Sequence, residues 1–327
     1  MQLQSDPIPN PKQVLHTVPV SMNGSTLAKA VREHYQTSWN QSRKWIETGK
    51  VFHNDKRVTE STVPVRTGDT IELRMNAPRH EKKPQLDSAS VVYLDDSIIV
   101  INKPSGIMTV PFEGIVEDTL DAQVGEYLKA ITKQKTTAYT SLGIVHRIDK
   151  ETSGLIVFTR TWAAKENLSL QFREHSIHRE YRALVHGHIQ SRTIESELVR
   201  DRGDGRRGSV DRAREKGHKI EGLVRKSITH VIAKEHLDNA TLIACRLETG
   251  RTHQIRIHLS ECGHPLLGEN QYTRFFKGQW IPAPRIMLHA AELGFTHPKT
   301  GERMRWEQPL PCDFAECLQS LRVSKAV

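Results

Sequence analysis

The chain has 327 residues, of which 37% are hydrophobic, long enough for one large domain and a small one. It carries 47 Lys and Arg against 38 Asp and Glu, a net charge of +9 and a pI near 9.4, the balance of a polyanion binder, because phosphate neutralisation supplies most sequence-independent affinity. No apolar run approaches a membrane span, the start lacks a basic-then-apolar signal, and Cys245, Cys262, Cys312 and Cys317 form no Cys-x-x-Cys pair, so a reduced, cytoplasmic protein without membrane segment or zinc ribbon is expected.

Residues 1–20 carry Pro7, Pro9, Pro11 and Pro19 with little periodicity and read as an extended arm. Residues 21–75 read as a compact α+β unit. Leu27, Ala30 and Val31 share a helix face. Ser38-Trp-Asn-Gln-Ser42 opens a second helix with capping-type residues, which carries Trp45 and Ile46 and ends at Gly49. Val51-Phe52 turns through Asn54-Asp55 to Val58 as a hairpin, and Gly68-Asp69 precedes the short strand Ile71-Glu-Leu73. Gln41–Val51 and Val65–Ile71 resemble the S-four type (alpha-L) RNA-binding domain, whose Ser-Arg-x-x-Ile helix faces RNA. The resemblance implies phosphate contacts from Arg43, Lys44 and Lys50. The front departs from the pattern, with Thr26-Leu-Ala-Lys-Ala30 standing where that family has Leu-Asp-x-x-Leu.

Residues 76–89 are polar and proline-punctuated, a linker. In residues 90–327, Val91–Leu94, Ile98–Ile101, Leu155–Phe158, Tyr181–Val185 and Thr241–Leu247 are strand-like, and helical patterns fall near Leu120–Leu128 and Ala163–Phe172. Many strands and few helices predict an α+β domain on a large antiparallel or mixed sheet. Between Arg200 and Lys219, eight basic and four acidic side chains alternate with four glycines, the composition of a mobile surface insertion, either an RNA-contacting loop or a simply solvated one.

His146-Arg-Ile-Asp-Lys-Glu-Thr-Ser-Gly154 lies between the apolar runs Leu142–Val145 and Leu155–Phe158. That places Asp149 on a tight polar connection between two strands, with Arg147 beside it to meet an anion. The same residues also serve as an ordinary capped turn. The segment resembles the signature loop of the RluA-type pseudouridine synthases, His-Arg-Leu-Asp followed by Thr-Ser-Gly, with Ile148 in place of Leu. Asn102-Lys-Pro-Ser-Gly106, Arg179–Gly187, Leu247–Leu259, Gly263–Gly268 with Tyr272, and Leu288-His-Ala290 match the same family in order.

The resemblance implies isomerisation of uridine to pseudouridine in structured RNA, without a cofactor. Asp149 is then the catalytic residue, Tyr181 stacks on the target base, and Arg256 pairs with the Asp. Arg251 and His253 shape the site, Lys103 supports it, Arg147 fills the space the base leaves in the RNA, and all four are expected to contact the RNA. A small RNA-binding domain joined to this catalytic domain is similar to members that modify ribosomal RNA, with transfer RNA the alternative substrate, and a monomer is expected. Two rival readings are a noncatalytic RNA-binding or ribosome-assembly factor and a metal hydrolase using His253, His258 and His264; alternating Ile255, Ile257 and Leu259 already explain the last segment as a strand or buried helix.

Overall fold

The computed structural model describes residues 15–78, 86–111, 119–132, 142–202, 205–215 and 223–325. It divides into two compact units between residues 83 and 84. The first contains β1 (Leu15–Thr17), α1 (Leu27–His34), α2 (Trp39–Glu47), β2 (Val51–His53), β3 (Lys56–Arg57) and β4 (Thr70–Leu73), with an antiparallel sheet ordered β1-β4-β2-β3. Its helices start where short polar side chains satisfy free backbone donors: Thr26 Oγ1 accepts from Lys29 N and Ser38 Oγ from Gln41 N. Asn54 and Asp55 take positive φ angles of 49° and 63°, the left-handed geometry of a two-residue hairpin turn. Leu27, Val31, Ile46, Val51, Val65 and Ile71 form its core.

The expected arm is shorter than residues 1–20. Leu15–Thr17 pairs with β4 and Val18 is buried, so the sheet claims these residues; residues 1–14 lie outside the described ones. The expected linker is likewise trimmed at its far end, where Leu86 is buried in the core of the second unit.

The second unit contains β5 (Val91–Leu94), β6 (Ile98–Lys103), α3 (Leu120–Thr132), β7 (Gly143–Ile144), β8 (Ser153–Thr159), α4 (Trp162–Arg173), β9 (His178–His186), β10 (Arg192–Val199), β11 (Gly208–Ser209), α5 (Val210–Arg214), β12 (Arg225–His236), β13 (Ala240–Leu247), α6 (Gln254–Glu261), β14 (Leu288–Thr296), β15 (Arg303–Glu307) and α7 (Cys312–Lys325). They build an 11-stranded mixed sheet, ordered β11-β10-β12-β13-β9-β14-β8-β6-β5, with β15 on β14 and β7 on β8. The fold is α+β.

Strands in the middle read as unbroken apolar runs because both sheet faces are covered. Ile99, Ile101, Ile156 and Phe158 pack with Leu120 and Val124 of α3 and Ile255 of α6, while Ile98, Val100, Leu155 and Val157 pack with Ala164 and Leu168 of α4. Strands β10 and β12 escape a purely apolar search because their sequences alternate with Arg, Glu, Lys and His. The basic stretch after β10 is structured where it is described, contrary to its composition. Ser209 N donates to Glu261 Oε1 at 3.0 Å, Ser209 Oγ caps α5, and Val210 and Ala213 are buried. Residues 203–204 and 216–222 lie outside the described ones.

The apolar run before Asp149 departs from the expected buried strand. Only Gly143–Ile144 pairs, half-buried, with Gly143 opposite Thr159 at the far end of β8, so residues 145–152 form a long loop. That loop ends where β8 runs parallel to β14, His289 opposite Ser153 and Ala290 opposite Gly154. Gly154 has φ +109°, and a Cβ there would lie 2.2 Å from the Ala290 carbonyl oxygen. Gly154→Ala is expected to destabilise the second unit by roughly 2–3 kcal/mol, through both strain and backbone overlap. Urea unfolding measures this, and an unchanged midpoint would contradict the close approach.

Candidate active site

The loop carrying Asp149 is held from behind by the turn that follows β6. Lys103 is fully buried, and its Nζ donates to the carbonyls of Pro104 at 2.9 Å, Ile107 at 2.8 Å and Lys150 at 3.0 Å. Ser105 Oγ donates to Glu151 O at 2.7 Å, and Gly106 N to Lys150 O at 2.9 Å. Thr109 Oγ1 donates to Ile148 O at 2.8 Å. At the loop's start His146 Nε2 accepts from Val157 N at 3.1 Å, and burial holds that imidazole neutral, down to about 3. Both backbone flanks of Asp149 are therefore fixed while its side chain reaches a cavity.

Lys103 thus corrects the sequence reading: it is a buried strut of the loop and not an RNA contact. Burial pulls its ammonium down to about 7, with the carboxylates of Asp149 and Glu151 opposing the shift.

Arg256 lies on α6, which follows β13 and packs against the same sheet face. His253 opens this helix in the left-handed conformation, φ 58°. Arg256 Nε and Nη2 each meet a carboxylate oxygen of Glu269 at 2.8 Å, a bidentate pair with both side chains buried. Arg256 Nη1 stands 3.7 Å from Asp149 Oδ2. His253 Nε2 is 3.9 Å from Asp149 Oδ1, and its Nδ1 is 2.7 Å from the Tyr272 hydroxyl. Burial lowers the His253 pKa against the pull of Asp149, and it raises Tyr272 to about 12, so that hydroxyl keeps its proton.

Glu269 was not singled out in the sequence. Its signal was a carboxylate directly after the matched Gly268, three residues before Tyr272. Burial pushes its pKa up, but the Arg256 hydrogen bonds and charge and the N–H groups of Gln271 and Tyr272 outweigh it, and the carboxyl ends below its ordinary value.

Tyr181 sits on β9 between Cys245 of β13 and Ala290 of β14, 7% exposed. Its ring is at once part of the core and part of the cavity wall. Burial raises its hydroxyl pKa. The cavity, of about 410 Å³, brings together Arg147, Asp149, Tyr181, Arg251, His253 and Arg256, a size suited to one small aromatic group. Arg147 is exposed, and Arg251 is half-buried with Nε donating to Lys226 O at 3.3 Å.

In the first unit Arg43 and Lys44 are exposed on α2, Arg43 lying 5.9 Å from the Trp39 ring centroid. Lys50 does not fit a phosphate contact: its ammonium donates to the carbonyls of Met75, at 2.8 Å, and Ala77.

The three histidines of the metal reading do not converge. His258 lies 2.9 Å from both Ser196 Oγ and Thr229 Oγ1, and His264 Nδ1 donates to His186 O at 2.9 Å. Among the described residues a compact His and carboxylate group does occur elsewhere, at His178, Glu180 and Glu292. Arg182, Arg246 and Arg305 already pair with its carboxylates.

Residues 97–261 match the family model described as RNA pseudouridylate synthase. The ribosomal large subunit pseudouridine synthase D of Zymomonas mobilis is 37% identical over 262 residues, covering 78% of this chain and 79% of that one. The chain belongs to the RNA pseudouridylate synthase family. The synthase of the same description from Vibrio cholerae is 32% identical over 95% of both chains. In fold, the synthase is similar to human RNA pseudouridylate synthase domain containing 4, with a TM-score of 0.56 at 20% identity, over 72% of this chain and 94% of that one. The protein is an RNA pseudouridine synthase, an isomerase whose substrate is RNA.

Replacing Glu269 by Gln removes the bidentate partner of the buried Arg256 and is expected to cost about 3–5 kcal/mol of stability at neutral pH. Because the folded carboxyl titrates below its ordinary 4.5, its contribution is complete above that pH and is lost as pH falls through the folded value. Urea unfolding across pH should show wild type and variant converging in acid. A gap that persists there would assign the loss to packing.

Proposed function

We propose that this synthase isomerises uridine to pseudouridine in large-subunit ribosomal RNA, with Asp149 as the catalytic carboxylate. The observation that carries the role of Asp149 is its position: a carboxylate facing the cavity, 3.7 Å from a guanidinium that is already neutralised by Glu269. Support for the RNA class is the ribosomal large-subunit description of relatives 32–37% identical to this chain. Transfer RNA is the alternative that mapping separates.

The target base must leave its stack to reach Asp149, at an unstacking cost that other contacts offset. Arg147, exposed beside Asp149, occupies the space vacated in the RNA. The Tyr181 ring stacks on the uracil. The bond from ribose C1′ to uracil N1 breaks, the base turns, and C1′ joins C5, whose proton is lost while N1 gains one. Asp149 either attacks C1′ or promotes loss of the neighbouring sugar hydrogen, and Arg256 orients it. Arg251 and His253 position the substrate. The first unit, read from its sequence as an S-four type RNA-binding domain, holds RNA through Arg43 and Lys44. The enzyme works in the cytoplasm as a monomer, where its four free cysteines stay reduced.

Asp149→Asn is expected to abolish pseudouridine formation in ribosomal RNA while leaving RNA affinity within a few-fold, because backbone contacts supply most of the binding. Pseudouridine mapping with and without the protein, and with the variant, checks both the residue and the RNA class; turnover by the Asn protein, or marks lost only from transfer RNA, would contradict the proposal.

The Tyr181 ring and hydroxyl can be separated. Tyr181→Phe should preserve binding and lower turnover by about two to four orders of magnitude, the range of a positioned proton transfer. Tyr181→Leu should also weaken binding by roughly 1–3 kcal/mol, the worth of one stacked base. Single-turnover assays read both; wild-type rates for Phe would leave stacking as the only role.

A further inference from the structure

A second hollow, of about 740 Å³, adjoins the Asp149 cavity, and the two share Gly250, Arg251 and Thr252. Its walls come from the end of β10, the stretch leading into β11, the start of β12 and the loop before α6. Among the described residues, the basic Arg200, Arg207, Arg225 and Arg251 line it together with the acidic Asp201. Asp201 also accepts the Gly205 N–H at 2.9 Å. Arg251 is partly buried with the charge of Arg225 close by, and both effects disfavour its cationic form. Like charges held together in this way are relieved by an anion placed between them. The charge of Arg207 also acts on His253 and Tyr272, so the positive field of the hollow extends into the Asp149 cavity.

We propose that this arginine groove is a phosphodiester-binding subsite that grips the RNA strand flanking the uridine held over Asp149. The inference rests on the reading that uridine enters the Asp149 cavity. Guanidinium groups suit the ligand because their planar donor forks match phosphate oxygens two at a time. Position suits it as well: a nucleotide drawn out of its stack leaves its neighbours on a continuous backbone beside the cavity mouth. Contacts to that backbone help offset the unstacking cost. The basic stretch that reads as a solvated loop is thereby given a role. Its folded part, anchored by Glu261 and the buried Val210 and Ala213, holds Arg207 in the groove wall.

The test is the double variant Arg207→Gln/Arg225→Gln, with Arg207→Lys/Arg225→Lys as its charge-conserving partner. Binding is measured by fluorescence anisotropy on labelled uridine-containing RNAs of about twenty and about five nucleotides, over roughly 50–200 mM salt. For the longer RNA, the Gln variant should bind about tenfold more weakly. Its plot of log affinity against log salt should be shallower by about 1.4, the share of two single-strand phosphates. The shorter RNA, which offers fewer flanking phosphates, should lose less, and the Lys variant should recover most of the salt slope. An unchanged slope, or equal losses on both RNAs with an unaltered thermal midpoint, overturns the groove. Should Asp149→Asn retain turnover, the catalytic reading fails while the salt slope still judges the groove.

Discussion

The buried pair between Arg256 and Glu269 sets the electrostatics of the site. A guanidinium inside a protein must be neutralised, and it takes the best carboxylate within reach. Here Glu269 provides two hydrogen bonds of 2.8 Å and is itself held by two backbone N–H groups. The remaining nitrogen of Arg256 faces Asp149 at 3.7 Å, beyond hydrogen-bond length. Asp149 thereby has a guanidinium beside it without being consumed as that guanidinium's hydrogen-bonded partner. Were Glu269 absent, Asp149 would be the nearest compensating charge, and a tight pair would compete with any substrate for its oxygens.

The same logic explains why the Asp149 loop is built on a buried lysine. A loop of this length would cost conformational entropy to order, and its carbonyls need partners wherever water is excluded. Lys103 offers three N–H groups from one side chain and meets three carbonyls from two stretches of chain, residues 104–107 and Lys150. Thr109 and Ser105 add clamps on Ile148 and Glu151. The turn after β6 and the loop before β8 therefore act as one body, braced on strands whose two faces are both packed. Rigidity behind Asp149 leaves its side chain, 18% exposed, as the part of the loop that reaches the cavity.

Charge is distributed over the second unit by the sheet's own geometry. Its middle strands are apolar because helices cover both faces, whereas β10 and β12 carry alternating charged residues. Those strands bring arginines from three separated stretches of sequence to the flank of the cavity. Basic residues that look dispersed along the chain become a local field only when the hairpin arm folds back beside α6.

Much of this was legible in the sequence because it is local. Apolar runs marked β6, β8, β9 and β13, capping residues marked α2, and the segments around Asp149, Tyr181 and Arg256 stood out as short, ordered motifs. The failures share one cause. Lys103 and Lys50 read as free cations, yet the fold gives their ammonium groups backbone carbonyls, and a lysine's sequence neighbours do not reveal whether it is buried. Glu269 looked like an ordinary acid until the fold set it against Arg256, thirteen residues away. Leu15–Thr17 and the stretch from Gly208 to Arg214 looked like arm and loop because their partners, β4 and Glu261, are remote in sequence. The sequence by itself determined the chemistry on offer, a carboxylate, an aromatic ring and guanidinium groups, since residue type and short-range spacing are written in the chain. Only the tertiary structure decided which charges are neutralised and which remain exposed, because burial and pairing depend on residues that meet solely in the folded state.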